Sequence, residues 1–149
     1  MDGRYQNYHN NYAHYRPAGS TIIKSELNGQ NEVPANNSSA TGELVGLLCP
    51  DGTRLDYALH THGLHNIISA HFHIGVAGQN GRIVKTININ PATGTAIGSW
   101  TINDSEPLTR DLMYHLKAGS LYVNVHTVQL PDGEIRGQTH DVSNRQYQC

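Results

Sequence analysis

Short apolar segments separated by turn residues dominate the sequence from residue 20 to residue 140. They are rich in β-branched and aromatic residues, which is typical of β-strands. Eight such segments occur, at residues 20–27, 41–49, 54–61, 67–75, 82–89, 95–102, 120–128 and 134–140. Asp-Gly and Asn-Gly pairs, which accept the positive φ angles of tight hairpins, stand in several of the intervals. The pattern therefore predicts a chain of about eight short strands.

One helical segment, "EPLTRDLMYHLKAG", interrupts the strand pattern late in the chain. Pro107 suits the first helical turn and Gly119 suits the end of the helix. Leu108, Leu112 and Leu116 recur on one face. No alternation of strands and helices, which a parallel sheet requires, is present. The sequence therefore predicts an all-β protein, an antiparallel Greek-key β-sandwich or barrel of about eight strands with one short helix.

The first twenty residues differ in composition from the rest of the chain. Residues 1–20 hold four of the eight tyrosines and no valine, isoleucine or leucine. They cannot bury enough aliphatic surface to fold alone. One interpretation is a disordered tail. The other is an arm that orders against a neighbouring subunit through Tyr5, Tyr8, Tyr12 and Tyr15.

The remaining 129 positions of the 149-residue chain have room for one domain with a core. We expect a β domain at residues 21–141 and a C-terminal tail at residues 142–149. The tail ends in Cys149, one of only two cysteines, which either links to another chain or is an unpaired thiol. The partner that these features predict is a second copy of the chain, in a homo-oligomer or a fibre.

Charge and hydropathy exclude several other partners. The formal net charge is −2 when the ten histidines are neutral, so nucleic acid and anionic membranes gain no electrostatic attraction. No apolar run is long enough to span a membrane, and we therefore expect no membrane insertion. The N-terminus lacks the apolar region of a secretory signal, so either a signal was removed before residue 1 or the protein reaches its place without one, which the initial Met favours.

Histidines recur on the polar side of the predicted strands. Because side chains alternate across a strand, His71 and His73 face away from the apolar side of their strand. His126 and the pair His60 and His62 do the same on theirs. The two imidazoles of an H-x-H pair stand roughly 6–7 Å apart on a strand. That distance lets both bind one metal ion if a neighbouring strand supplies a third ligand.

The strand "SLYVNVHTV" has the same polarity pattern, which makes His126 the leading third ligand. His62 either completes the site or forms a second one with His60. Imidazole ligands suit copper or zinc better than calcium or magnesium, so the predicted metal ligands are His71, His73, His126 and His62. The alternative is a cluster of solvated histidines on the outer face with no metal. The same alternation predicts a buried face made of Ile68, Ala70, Phe72, Ile74 and Val76.

Three longer stretches resemble the CHRD (chordin) domain family. They are "LNGQNEVPANNSSATGEL" (27–44), "LDYALHTHGLHNIISAHFHIGVAGQNGRIV" (55–84) and "LKAGSLYVNVHTVQLPDGEIRGQ" (116–138). Their motifs stand in the family's order, and the resemblance covers about residues 21–140. It implies a β-sandwich-like module that is extracellular or exposed on a surface. No other domain is recognisable, so the growth-factor binding of chordin is not transferred to this chain.

With the composition of the two tails, this resemblance leads to the first functional hypothesis. The protein is a non-enzymatic structural protein of the cell or spore surface that self-assembles, as a fibre or a layer, through its N-terminal arm. Assembly on a spore surface would explain deposition without a secretory signal. Metal binding by the histidines is compatible with this role.

The order "HFH", "VNVHT" and "GEIRG" is also similar to copper–zinc superoxide dismutase. That resemblance implies copper ligation by His71, His73 and His126, and attraction of an anionic substrate by Arg136. The chain departs from that family's pattern because residues 74–114 contain no histidine, where a bridging ligand and zinc ligands would stand. The second hypothesis is a copper- or zinc-dependent enzyme, or a metal carrier, with a superoxide-dismutase-like histidine site.

Overall fold

The strands begin and end close to the predicted turn residues. The computed structural model describes residues 19–143. All eight predicted strands are present in that range, and a two-residue strand follows them. The strands are β1 (Thr21–Asn28), β2 (Thr41–Leu48), β3 (Arg54–His62), β4 (Ile67–Ile74), β5 (Ile83–Ile87), β6 (Thr95–Thr101), β7 (Leu121–Thr127), β8 (Ile135–Gln138) and β9 (His140–Asp141).

The named strands pair antiparallel, and neighbours follow the order β5-β4-β7-β8-β1-β2-β3-β6. Strand β9 pairs with β1 beside this path. The end strands β5 and β6 approach each other, which makes the sheet a nearly closed barrel or sandwich. Strands β3 and β4 are consecutive in the chain but far apart in this order, as Greek-key connections require. The predicted all-β antiparallel class is confirmed.

The apolar side of each strand forms the interior of the barrel. On β3, Leu55 and Tyr57 are buried whereas His60 is exposed, as the alternation predicts. The ring of Phe72 on β4 lies 5.5 Å from that of Tyr57 and 5.1 Å from that of Trp100 on β6. These aromatic contacts join both halves of the strand order into one core.

Strand β4 contains a bulge that changes which of its residues are buried. The pairing register with β7 shifts between Ile67 and Ser69, and the extra residue turns the side chain of Ile68 outward. Ile67 packs against the core, whereas Ile68 is 56% exposed. Val76 lies beyond the end of the strand and is also exposed. The prediction that Ile68 and Val76 belong to the buried face was therefore wrong.

The predicted helix exists but starts later than expected. Helix α1 spans Arg110–Ala118, and Thr109 caps it by accepting a hydrogen bond from Leu112 N at 3.1 Å. Pro107 therefore precedes the helix and is not in its first turn. Gly119, at φ 82°, ends the helix as predicted. In the described part of the chain, no helix is long and apolar enough to cross a membrane.

Candidate metal centre

Strands β4 and β7 bring three of the predicted histidines together. The two strands pair antiparallel, with Ser69 opposite His126 and His71 opposite Asn124. One ligand nitrogen from each of His71, His73 and His126 lies within 4.8 Å of the other two. The ring centroids of His71 and His126 are 5.0 Å apart, and those of His71 and His73 are 5.6 Å apart. The three imidazoles thus surround one point on the face of the sheet.

Backbone carbonyl groups fix the ring protons of two of these histidines. Nδ1 of His73 lies 2.8 Å from the carbonyl oxygen of Gly81, and Nδ1 of His126 lies 2.8 Å from that of Pro131. A carbonyl oxygen only accepts hydrogen bonds, so Nδ1 carries the proton in both rings. Each Nε2 therefore presents a lone pair. Metal-binding histidines are typically oriented in this way.

His71 completes the set through its contact with His126. Nδ1 of His71 lies 3.1 Å from Nε2 of His126. Because that Nε2 holds a lone pair, His71 donates the proton in this contact. A bound metal ion would lie between Nδ1 of His71 and Nε2 of His126. The ring proton of His71 would then be on its own Nε2. Binding of a cation by this pair therefore requires only a change in which nitrogen of His71 carries the proton.

Burial keeps His71 and His73 neutral at physiological pH. It lowers the pKa of His71 to about 4, with a smaller contribution from the neighbouring His126 and His73. Burial likewise lowers the pKa of His73, against the hydrogen bond to Gly81. Neutral imidazole is the form that binds metal ions. These two rings therefore each keep one nitrogen lone pair near pH 7.

A loop covers the face that the sequence predicts to be open to solvent. The loop at residues 75–82 folds back over it, and His73 is only 8% exposed. The His73 ring stacks on Tyr122 with centroids 4.7 Å apart and an interplanar angle of 5°. Tyr122 Oη accepts a hydrogen bond from Gly81 N at 3.0 Å. Of the two alternatives for the outer-face histidines, a solvated surface position therefore does not apply to His73.

Arg136 holds this loop in place. Its guanidinium group donates to the carbonyl oxygens of Gln79 (2.6 Å) and Val76 (3.2 Å) and to Asn80 Oδ1 (3.1 Å). It also lies 3.5 Å from the centroid of the Tyr122 ring, and Arg136 is 1% exposed. An anionic substrate cannot reach a cation buried in this way. The role of Arg136 in attracting such a substrate, which the superoxide dismutase resemblance implies, was therefore wrong.

The other predicted site residues lie elsewhere. His62 is exposed on β3, which pairs with β2 and β6 and not with β4. The structure does not bring it to the three histidines. The predicted assembly residues Tyr5, Tyr8, Tyr12, Tyr15 and Cys149 lie outside the described residues.

Sequence reasoning missed two buried polar residues near this site: Asn124, on the same strand as His126, and Glu32, which lies close to Asn124. Strand alternation places Asn124 on the same face as His126, and this signal could have identified it. Glu32 is far from Asn124 in sequence and reaches it only through the fold. Burial raises its pKa to about 7, although Arg136 and Asn124 both favour the ionised form.

This shift gives Glu32→Gln a pH-dependent effect on stability. A raised pKa favours the protonated carboxyl group in the folded state, so stability present below the usual pKa of 4.5 is lost as pH rises through about 7. Glutamine stays neutral and avoids that loss. The free energy of unfolding of Glu32→Gln minus that of the wild-type protein should be about 2–3 kcal/mol larger at pH 8 than at pH 4. Urea unfolding of the metal-free protein measures it, and a difference independent of pH would contradict the assignment.

The comparison with protein families agrees with the sequence resemblance. The family model for the CHRD domain matches residues 23–139, which is most of the chain. The match includes all three clustered histidines and both carbonyl groups that orient them. No curated protein matches the sequence.

Proposed function

This chain belongs to the CHRD domain family, and on that premise we propose that it is a structural β domain, extracellular or on a surface, that holds one copper or zinc ion. The ligands are His71, His73 and His126. The family indicates a non-enzymatic structural role. The ion would join β4, β7 and the loop that covers them, and so stabilise the domain.

The observation that carries this proposal is the fixed orientation of two imidazole rings. The carbonyl oxygens of Gly81 and Pro131 accept hydrogen bonds from Nδ1 of His73 and Nδ1 of His126, respectively. The ligand atoms of the three histidines converge within 4.8 Å. A cluster of freely solvated histidines has no reason to be held in one orientation by backbone carbonyl groups. A metal site needs this orientation, because it removes the cost of ordering the ligands when the ion binds.

Zinc binding should raise the thermal stability of the full-length chain. At a free zinc concentration one hundred times the dissociation constant, binding to the folded state contributes about 2.7 kcal/mol. For a domain of this size the melting temperature should rise by about 10 °C. Calcium and magnesium prefer oxygen ligands and serve as controls that should leave it unchanged. No shift with either zinc or copper would contradict the proposal.

We also propose that the chain associates with copies of itself through residues 1–20. The composition of this segment supports the proposal, because its four tyrosines offer contact surface and it has no valine, isoleucine or leucine for a core of its own. Among the described residues the apolar core is built from residues 22–135, so we expect the domain to fold without the arm. Association of this kind would produce a fibre or a surface layer.

Deleting residues 1–20 should therefore separate folding from assembly. The shortened chain should unfold within about 1 kcal/mol of the full-length protein, because the core is unchanged. It should also sediment as a monomer where the full-length protein forms larger species. Sedimentation velocity measures both chains at the same concentration. A shortened chain that still forms the larger species would refute the role of the arm.

A further inference from the structure

The proposed metal site has three ligands within residues 19–143. The cluster of potential ligand atoms from histidine, cysteine and carboxylate side chains there consists of one nitrogen each from His71, His73 and His126. A tetrahedral ion takes four ligands, and structural zinc sites fill all four positions with protein groups. A structural ion at this site therefore has one coordination position left for a ligand from outside the cluster.

The site is accessible on the side of His71 and His126. His73 is 8% exposed beneath the loop at residues 75–82, which closes the site on that side. His71 and His126 are both partly exposed. A fourth ligand therefore approaches the ion on the side of these two histidines, from outside the barrel.

Two exposed apolar side chains border the accessible side. The bulged Ile68 lies just before Ser69, the residue that pairs with His126. Ile68 is 56% exposed, and Val128, two residues after His126, is 65% exposed. A segment that docks here meets a coordination position next to apolar surface, which suits a peptide that carries both imidazole and aromatic side chains.

The arm at residues 1–20 contains such a peptide. Its stretch "NYHNNYAHY" (7–15) holds His9 and His14 among three tyrosines. Imidazole is the ligand that the site already uses, and tyrosine rings pack well against apolar side chains. This stretch lies outside the described residues, and its composition matches both parts of the surface around the site.

The pairing register places the site and the start of the arm at opposite ends of β1. Through the pairings of β4 with β7, β7 with β8 and β8 with β1, His71 lies level with Asn28, the last residue of β1. The arm joins β1 at its other end, where Gly19 lies against Pro50. Strand β1 spans about 23 Å at a rise of about 3.3 Å per residue, so the arm begins at least that far from the site.

This distance decides which copy of the chain His14 can serve. Five residues of chain separate His14 from Gly19 and cover at most about 18 Å when fully extended. That length is shorter than β1 alone, and the path to the site also crosses β8 and β7. His9 is ten residues from Gly19 and has the length for either copy. Binding through His14 therefore identifies a second copy.

We propose that His14 of a second copy is the fourth ligand of the ion held by the three clustered histidines, so that the metal joins one chain to the next. The inference rests on both parts of the proposed function, the metal site and the arm, and connects them. The tyrosines of the same arm cover Ile68 and Val128. Because the arm and the site lie at opposite ends of β1, the contact is head-to-tail and repeats into a ring or a fibre.

Mixing two full-length variants tests this inference. His14→Ala keeps the three-histidine site and lacks the arm ligand, whereas His126→Ala keeps the arm and lacks the site. With one equivalent of zinc per chain, each variant alone should sediment as a monomer. Their mixture should form a 1:1 complex that contains one zinc ion in native mass spectrometry and dissociates in EDTA. His9→Ala, a matched change in the same arm, should assemble with zinc as the wild-type protein does.

The outcomes distinguish this inference from the proposed function. Wild-type protein that retains neither zinc nor copper would refute the metal site itself. If His14→Ala retains zinc and still assembles alone, or if the zinc-bound mixture stays monomeric, the inference is overturned while the three-histidine site stands. Wild-type protein that forms the same larger species after removal of the metal would also overturn it, because the arm would then associate without the ion.

Discussion

Replacing His126 with alanine is expected to weaken zinc binding more than about 1000-fold, the largest effect on binding that we predict. Loss of a residue that only orients a ligand costs about 10–100-fold in affinity, and His126 supplies one of the converging nitrogens itself. A 1000-fold loss corresponds to about 4 kcal/mol of binding free energy. Competition titration against a chromophoric chelator measures the affinity at neutral pH.

His62→Ala is the matched control for this variant. His62 also belongs to an H-x-H pair on a strand, but it is exposed on β3, away from β4. It should bind zinc as tightly as the wild-type protein. If His62→Ala lost as much affinity as His126→Ala, the ion would be bound by exposed histidines in general and not by the cluster on β4 and β7.

Replacing Arg136 with alanine is expected to destabilise the domain by about 3–5 kcal/mol, the largest effect on stability that we predict. The variant leaves two loop carbonyl groups and the Asn80 side chain without their donor. It also removes a buried side chain packed on Tyr122. Breaking a buried network around a charge has a cost of this size. Urea unfolding gives the free energy directly.

Arg82→Ala serves as the comparison for the same loop. Arg82 is exposed just before β5, so its loss should change the free energy of unfolding by less than about 0.5 kcal/mol. Arg136→Ala should also bind zinc more weakly, because the Gly81 carbonyl that orients His73 is part of the loop. An Arg136→Ala variant that unfolds at the same urea concentration as the wild-type protein would show that the loop does not depend on Arg136.

Strand alternation and turn residues sufficed to predict the eight main strands and the fold class. The failures are local. Ile68 turns outward because of a bulge, and the register shift behind a bulge depends on the partner strand. The helix starts after Thr109 because its side chain caps the first turn, which outweighs the preference of Pro107 for such a position.

Strand alternation also predicted part of the candidate site. The alternation of side chains along each strand placed His71, His73 and His126 on polar faces. The pairing of β4 with β7 brings these three side chains together. The pairing itself and the loop over the site depend on long-range contacts. The carbonyl group of Gly81 reaches His73 only through that loop, and no periodicity in the sequence predicts this contact.

The amount of zinc that the full-length protein retains shows whether His71, His73 and His126 hold an ion. The metal-free chain is mixed with an excess of zinc, dialysed and weighed by native mass spectrometry, with His126→Ala treated in parallel. If the three histidines bind the ion, the wild-type protein retains one ion per chain and His126→Ala retains none. Wild-type protein that retains no zinc, and no copper in the same procedure, would contradict it.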